Sequence, residues 1–218
     1  MARRTSLSLT QVQCALCGRG GRGSYRQSSI GESFCASHPW CVHCRSAHLR
    51  SSCDEQQQIV VLDQDAKRRV AQVLHDLRTL QIDLPDVPVS LVPTMPDSEE
   101  GRCFKSFSGS ARSRSARIEI HDGLGPTRFG HVVAHEHTHA LLHLHGGPAV
   151  EPHVEEGVCE LIAVVWLTSH GTRQEVLNDV WANPHPAYGE QMRRLVRLGR
   201  RDGVRRVLDR VLATGQPE

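Results

Sequence analysis

Residues 131–144 read HVVAHEHTHALLHL, and within them His135-Glu136-His137-Thr138-His139 fits HExxH. On a helix, positions i and i+4 share a face. The imidazoles of His135 and His139 can therefore bind one ion while Glu136 sits beside its open coordination position. The competing reading is a histidine-rich solvated helix without an ion. A metal reading requires a further ligand from another element, and the solvated helix requires none.

VEEGVCE, residues 154–160, opens the next helical stretch after a short Gly/Pro connection. A helix returning antiparallel brings its start near the end of the first and offers a carboxylate back to the histidines. Glu156 is the expected third ligand, with Glu155 its main competitor. Glu160, one turn further on, can accept the second ring N–H of a ligand histidine and fix its tautomer. Two imidazoles and one carboxylate leave a fourth position for water, the pattern of a catalytic zinc. Glu136 would take a proton from that water and later pass it to a leaving amine, which implies peptide-bond hydrolysis. An oxyanion donor is also needed, and Tyr188 is preferred over His121, His153 and His185. His137 falls on another helix face, and His131, His143 and His145 read as surface or packed residues.

A second set of ligand types lies near the N-terminus. Cys14-x2-Cys17 and Cys35-x2-His38 supply four N/S ligands in two close pairs, which suits a closed structural zinc site. Cys41-x2-Cys44 opens another set with Cys53, completed by His48, His43 or Asp54, of which His48 is favoured; one zinc plus three free thiols is the alternative. Such pairs, with no apolar signal-like run before them, favour zinc thiolates in a reducing compartment over disulfides. Cys103 and Cys159 stand alone and read as small buried residues.

The elements that must position these groups follow from the rest of the 218 residues. Residues 12–56 show little hydrophobic periodicity and need metal to fold. From residue 59 to 215 the pattern supports one main domain. A helix is expected from about Asp63, as N-cap, to before Leu84-Pro85. VPVSLV, RCFKSF and ARIEIH read as strands, the last available to pair with an extended substrate. A helix then starts near Pro126 or Thr127 and ends at His145 before Gly146-Gly147, and another runs from near Pro152 to Gly171. ANPHPAYG reads as a loop, and residues 189–213 as one or two Arg-rich helices broken around Gly199 to Gly203. Net charge is only +2, which excludes a partnership with nucleic acid or an anionic membrane driven by overall charge. No stretch approaches the roughly 20 apolar residues of a membrane span. A cytoplasmic protein is expected.

AHEHTHALLHLHG, VEEGVCELIAVVWL and PAYGEQMR, with the paired cysteines before them, resemble the LIM-domain-containing, ubiquitin-activated zinc metallopeptidases that restrict organ growth in plants (the DA-one-like family) and their shorter bacterial relatives. The resemblance implies an α+β gluzincin-like peptidase domain behind a LIM-like double zinc module. It implies ligand, base and ligand roles for His135, Glu136 and His139, and the spacing to Glu156 agrees with that family. The first finger departs from it in carrying Cys35 then His38 where a LIM finger has His then Cys, and the second is short after Cys44. The expected protein is a zinc-dependent peptidase with one catalytic and one or two structural zinc ions, acting on protein or peptide substrates and using its N-terminal module to hold a substrate or protein partner. The rival is a non-catalytic zinc-binding regulator that contacts nucleic acid or protein.

Overall fold

The computed structural model describes residues 13–14, 25–27, 33–36, 40–41, 46–47, 60–96, 99–108, 113–172, 174–184 and 189–218. In the N-terminal part, β1 (Tyr25–Gln27) pairs antiparallel with β2 (Ser33–Cys35), and β3 (Trp40–Cys41) with β4 (Ser46–Ala47).

From Val60 the chain builds an α+β body. Its first helix, α1 (Asp63–Thr79), buries Val70, Val73, Leu74 and Leu77 along one stripe. Leu62, not Asp63, occupies the N-cap, and no side chain caps the helix there. Asp63 instead lies in the first turn with Asp65, where negative charge complements the helix dipole. After α1 come β5 (Val89–Val92), β6 (Gly101–Ser108) and β7 (Ser113–His121). Their order is β5-β7-β6, with β5 parallel and β6 antiparallel to β7.

That order corrects one expectation. ARIEIH forms most of β7, the central strand, and over Ile118–Ile120 it is paired with both neighbours. A central strand has no open edge to offer a substrate. Among the described residues, β5 and β6 are the edge strands that flank it.

Helix α2 (Pro126–His145) and helix α3 (Pro152–Ser169) form the centre of the body, each with proline in its first turn. The fixed φ of proline suits that position, and its missing N–H is not needed there. Gly146 ends α2 in the left-handed conformation, φ 74°, which glycine adopts without strain. Three further helices follow: α4 (Gln174–Trp181), α5 (Gln191–Asp202) and α6 (Val204–Thr214). The α4 segment was not read from the sequence.

One core joins the sheet to the helices through Ile118, Ile120, Phe129, Val158, Ile162 and Leu195. Several arginines of α5 and α6 have acidic partners at the surface, such as Arg205 with Asp209 and Arg201 with Asp202, while Arg193 donates to the carbonyls of Trp181 and Asn183. Among the described residues, no helix is long and apolar enough to cross a membrane.

Candidate metal centre

His131, His135 and His139 recur every fourth residue on α2, and all three are buried. Their partners on α3 fix the antiparallel return: His139 meets Glu155 and Glu156, His135 meets Glu156 and Glu160, and His131 meets Glu160. Contacts move back along α2 as they advance along α3.

The Nε2 atom of His135 lies 3.3 Å from Glu156 Oε2, and that of His139 lies 3.5 Å from Glu156 Oε1. Two ligands held ~2.1 Å from one tetrahedral ion stand ~3.4 Å apart. Both separations are close to that spacing. Glu156 Oε2 is also buried, with no well-formed hydrogen bond beyond its approach to the His135 ring, and a cation at this position would satisfy it. Cys159 belongs to the same cluster: its sulfur and ring nitrogens of His135 and His139 all lie within 4.8 Å of one another, a group able to hold a metal ion. Cys159 is fully buried as expected, but it faces the histidine pair as well as the core.

The opposite ring nitrogens are held by other carboxylates. His135 donates from Nδ1 to Glu160 Oε2 at 3.2 Å, and His139 from Nδ1 to Glu155 Oε1 at 2.6 Å. With Nδ1–H so engaged, each ring turns its Nε2 atom toward Glu156. Glu155, the rival for third ligand, thus sits behind His139, where it also receives Lys105 Nζ from β6. The second oxygen of Glu160 accepts from His131 Nε2 at 3.1 Å.

These carboxylates shape the protonation of the site. Burial pushes His135 down, but hydrogen bonds to Glu156 and Glu160 and the charge of Glu136 outweigh it and raise its pKa to about 10. Burial also opposes His139, whose pKa is nevertheless raised by Glu155 and Glu156. Burial works against the charged forms of Glu156 and Glu160 too, yet their histidine partners hold both carboxyls well below the usual range. Burial, followed by the charges of Glu156, Glu155 and Glu136, drives the Cys159 thiol well above its ordinary value.

Glu136 is buried beside the pair, and its nearest wall is Gly101 at the start of β6. A Cβ at Gly101 would clash with Val132 Cγ1 and come within 3.0 Å of Glu136 Cγ. His137, in contrast, turns away: its Nδ1 donates to Val133 O at 2.8 Å, and burial lowers its pKa to about 4.

His131 had read as surface or packed. It is packed, but its imidazole extends the Glu160 network behind His135. The signal was available, since 131, 135 and 139 share the four-residue spacing of HExxH. Lys105 had no such signal, lying 50 residues from Glu155. His153 is exposed near Glu151, and His121 bonds its neighbour's carbonyl. Tyr188 and His185 lie outside the described residues.

In the N-terminal part, Cys14 and Phe34 form a small buried cluster with Tyr25 and Cys35 packed against it. One cysteine from each half of the first expected zinc set is thus found in one cluster. Cys41 lies in β3. Cys17, His38, Cys44, His48 and Cys53 lie outside the described residues.

Fold and site together define an α+β protein in which a helical hairpin carries a His/His/Cys group able to hold a metal ion. Residues 110–182, which span that hairpin, match the DA1-like family model, described as Protein DA1. The curated relative Protein DA1-related 1 of Arabidopsis thaliana is 39% identical over 69 residues, which cover 32% of this chain and 12% of that protein. No solved structure matches the chain.

Proposed function

We propose that the chain is a zinc-dependent peptidase of the HExxH…E type, with His135, His139 and Glu156 as zinc ligands and Glu136 as general base. The observation that carries this reading is the pair of separations, 3.3 and 3.5 Å, between the two Nε2 atoms and the oxygens of Glu156. Cys159 is the other candidate for the third position. Glu156 suits zinc in a hydrolase better: its oxygens approach both Nε2 atoms, and two imidazoles with one carboxylate are the ligand set of a hydrolytic zinc. The chemistry that zinc supplies when bound is Lewis acidity, which makes water nucleophilic near neutral pH.

The chain's own residues do the rest. Glu136 accepts a proton from the attacking water and returns it to the leaving amine. Glu160 and Glu155 hold the two rings in one tautomer and orientation. An extended peptide laid along the open edge of β6 would run beside Glu136, because Gly101 abuts that side chain. Residues 12–56 would bind structural zinc through Cys14, Cys17, Cys35 and His38, with Cys41, Cys44, Cys53 and His48 as the second set, and hold the substrate or a protein partner. The DA1-like match supports the peptidase reading through the hairpin segment.

The test is Glu136→Gln. The variant should bind zinc as the parent does and lose cleavage of a protein or peptide-library substrate by about 10²- to 10⁴-fold. Retention of full cleavage would remove Glu136 from the mechanism.

A further inference from the structure

Two adjacent glutamates, Glu155 and Glu156, stand at the start of α3 within reach of His139. Only one of them faces the space between the ring Nε2 atoms. Helix geometry does not make that choice unaided, because both carboxylates are on flexible stems and both contact the same imidazole.

The difference between them comes from the sheet. Strand β6 alternates, so Gly101, Cys103 and Lys105 share its inward side: Gly101 meets Val132 and Glu136, Cys103 packs against the core, and Lys105 reaches α3. The ammonium of Lys105 bonds Oε1 of Glu155, the oxygen that also accepts Nδ1–H of His139 at 2.6 Å. Two donors converge on one carboxylate oxygen. No corresponding cation holds Glu156 among the described residues; its contacts are the two imidazoles.

We propose that Lys105 is a positioning residue: it ties Glu155 to the back of His139, and so leaves Glu156 as the carboxylate that faces the ion. The proposal rests on the reading of this site as a metal centre, and not on peptide cleavage. Lys105 never touches the ion or the reacting atoms. With the ammonium gone, Glu155 keeps a single donor, is free to swing round and compete with Glu156, and leaves the His139 ring less firmly oriented.

The experiment is zinc affinity by chelator competition for the full chain and for Lys105→Met, Lys105→Arg, Glu155→Gln and the Lys105→Met/Glu155→Gln double variant, each checked for folding by circular dichroism. Loss of a group that orients a ligand lowers metal affinity by about 10- to 100-fold. Lys105→Met should fall at or just below the lower end of that range, Lys105→Arg should stay within about threefold of the parent, and Glu155→Gln should match or exceed the methionine variant. Because the two act as one unit, the double variant should lose no more than Glu155→Gln alone. Lys105→Gln serves as the neutral variant should methionine disturb the fold. Parental affinity in the neutral variant, or losses that multiply in the double, would overturn the assignment. A parent that binds no zinc at this site would sink the metal reading and this one together. A parent that binds zinc and shows the expected losses, yet cleaves no peptide, would sink only the peptidase reading.

Discussion

The two parts of the chain are held together by different means. From Val60 onward, one apolar cluster runs from α1 through the sheet to α6 and includes Leu77, Ile82, Phe129, Ile162, Leu195 and Leu208. Each such side chain contributes about 1.5–3 kcal/mol when fully buried. In residues 12–56 the described cluster consists of Cys14 and Phe34, with Tyr25 and Cys35 against it. Ordering backbone costs about 1–2 kcal/mol per residue, which for the described residues of this part exceeds what those four side chains contribute. The lesson is that a metal would play opposite roles in the two parts: a guest in a preformed site in the helical body, and the core of the N-terminal part.

Chelation should break the comparison open with the largest effect. Structural zinc in small modules is worth on the order of 10 kcal/mol of folding free energy. Removing zinc with a strong chelator should unfold residues 12–56 completely and leave the body folded. Limited proteolysis is the measurement, with cleavage confined to the first sixty or so residues and the later fragment persisting. Persistence of the N-terminal part under chelation would mean that something other than metal orders it.

A subtler separation is expected inside the body. Glu160 is buried between His131 and His135 and bonds both. Glu160→Gln keeps its volume but removes the charge, and one amide cannot accept from both rings with both of its polar ends. Zinc affinity should fall by about 10- to 100-fold, while the far-ultraviolet spectrum of the body stays that of the parent. If the helices melted instead, the network would belong to the fold as much as to the site, and the contrast with residues 12–56 would shrink.

The sequence exposed these two regions unequally. The bounds of α2 were legible because proline opens it and Gly146 closes it, and the HExxH spacing placed His135 and His139 on one face. Glu155 and Glu156 read as neighbouring candidates; the contact that sets them apart comes from Lys105, which is brought to α3 by the pairing of β6 with β7 and not by any local pattern. Strand order misled for the same reason, since alternation in ARIEIH shows which side chains are buried but not which strand sits in the middle. Helix α4 escaped because Leu177, Val180 and Trp181 repeat over only eight residues. His131 was discounted because a lone histidine on an apolar helix is usually packing, although its spacing from His135 repeats that of His135 from His139.

Protons provide the finest test of the contrast, because the ion and the proton compete for the same imidazoles. His135 has its folded pKa raised to about 10, above an unfolded value of 6.5. In chelated protein its contribution to stability is therefore fully present below pH 6.5 and is lost as pH rises toward about 10. On the acid side the sign reverses: Glu156 and Glu160, whose carboxyls are held down, contribute above their unfolded value of 4.5 and lose that contribution as pH falls. The Tm of the chelated body should accordingly decline between pH 7 and about 10. Zinc affinity should climb over the same interval by up to about tenfold per pH unit for each proton displaced, and flatten once His135 is neutral. Calorimetric titration of zinc in two buffers of different ionisation enthalpy counts those protons. Zinc binding at pH 7.5 without proton release would mean that both rings are already neutral, and that their carboxylate partners orient them without charging them.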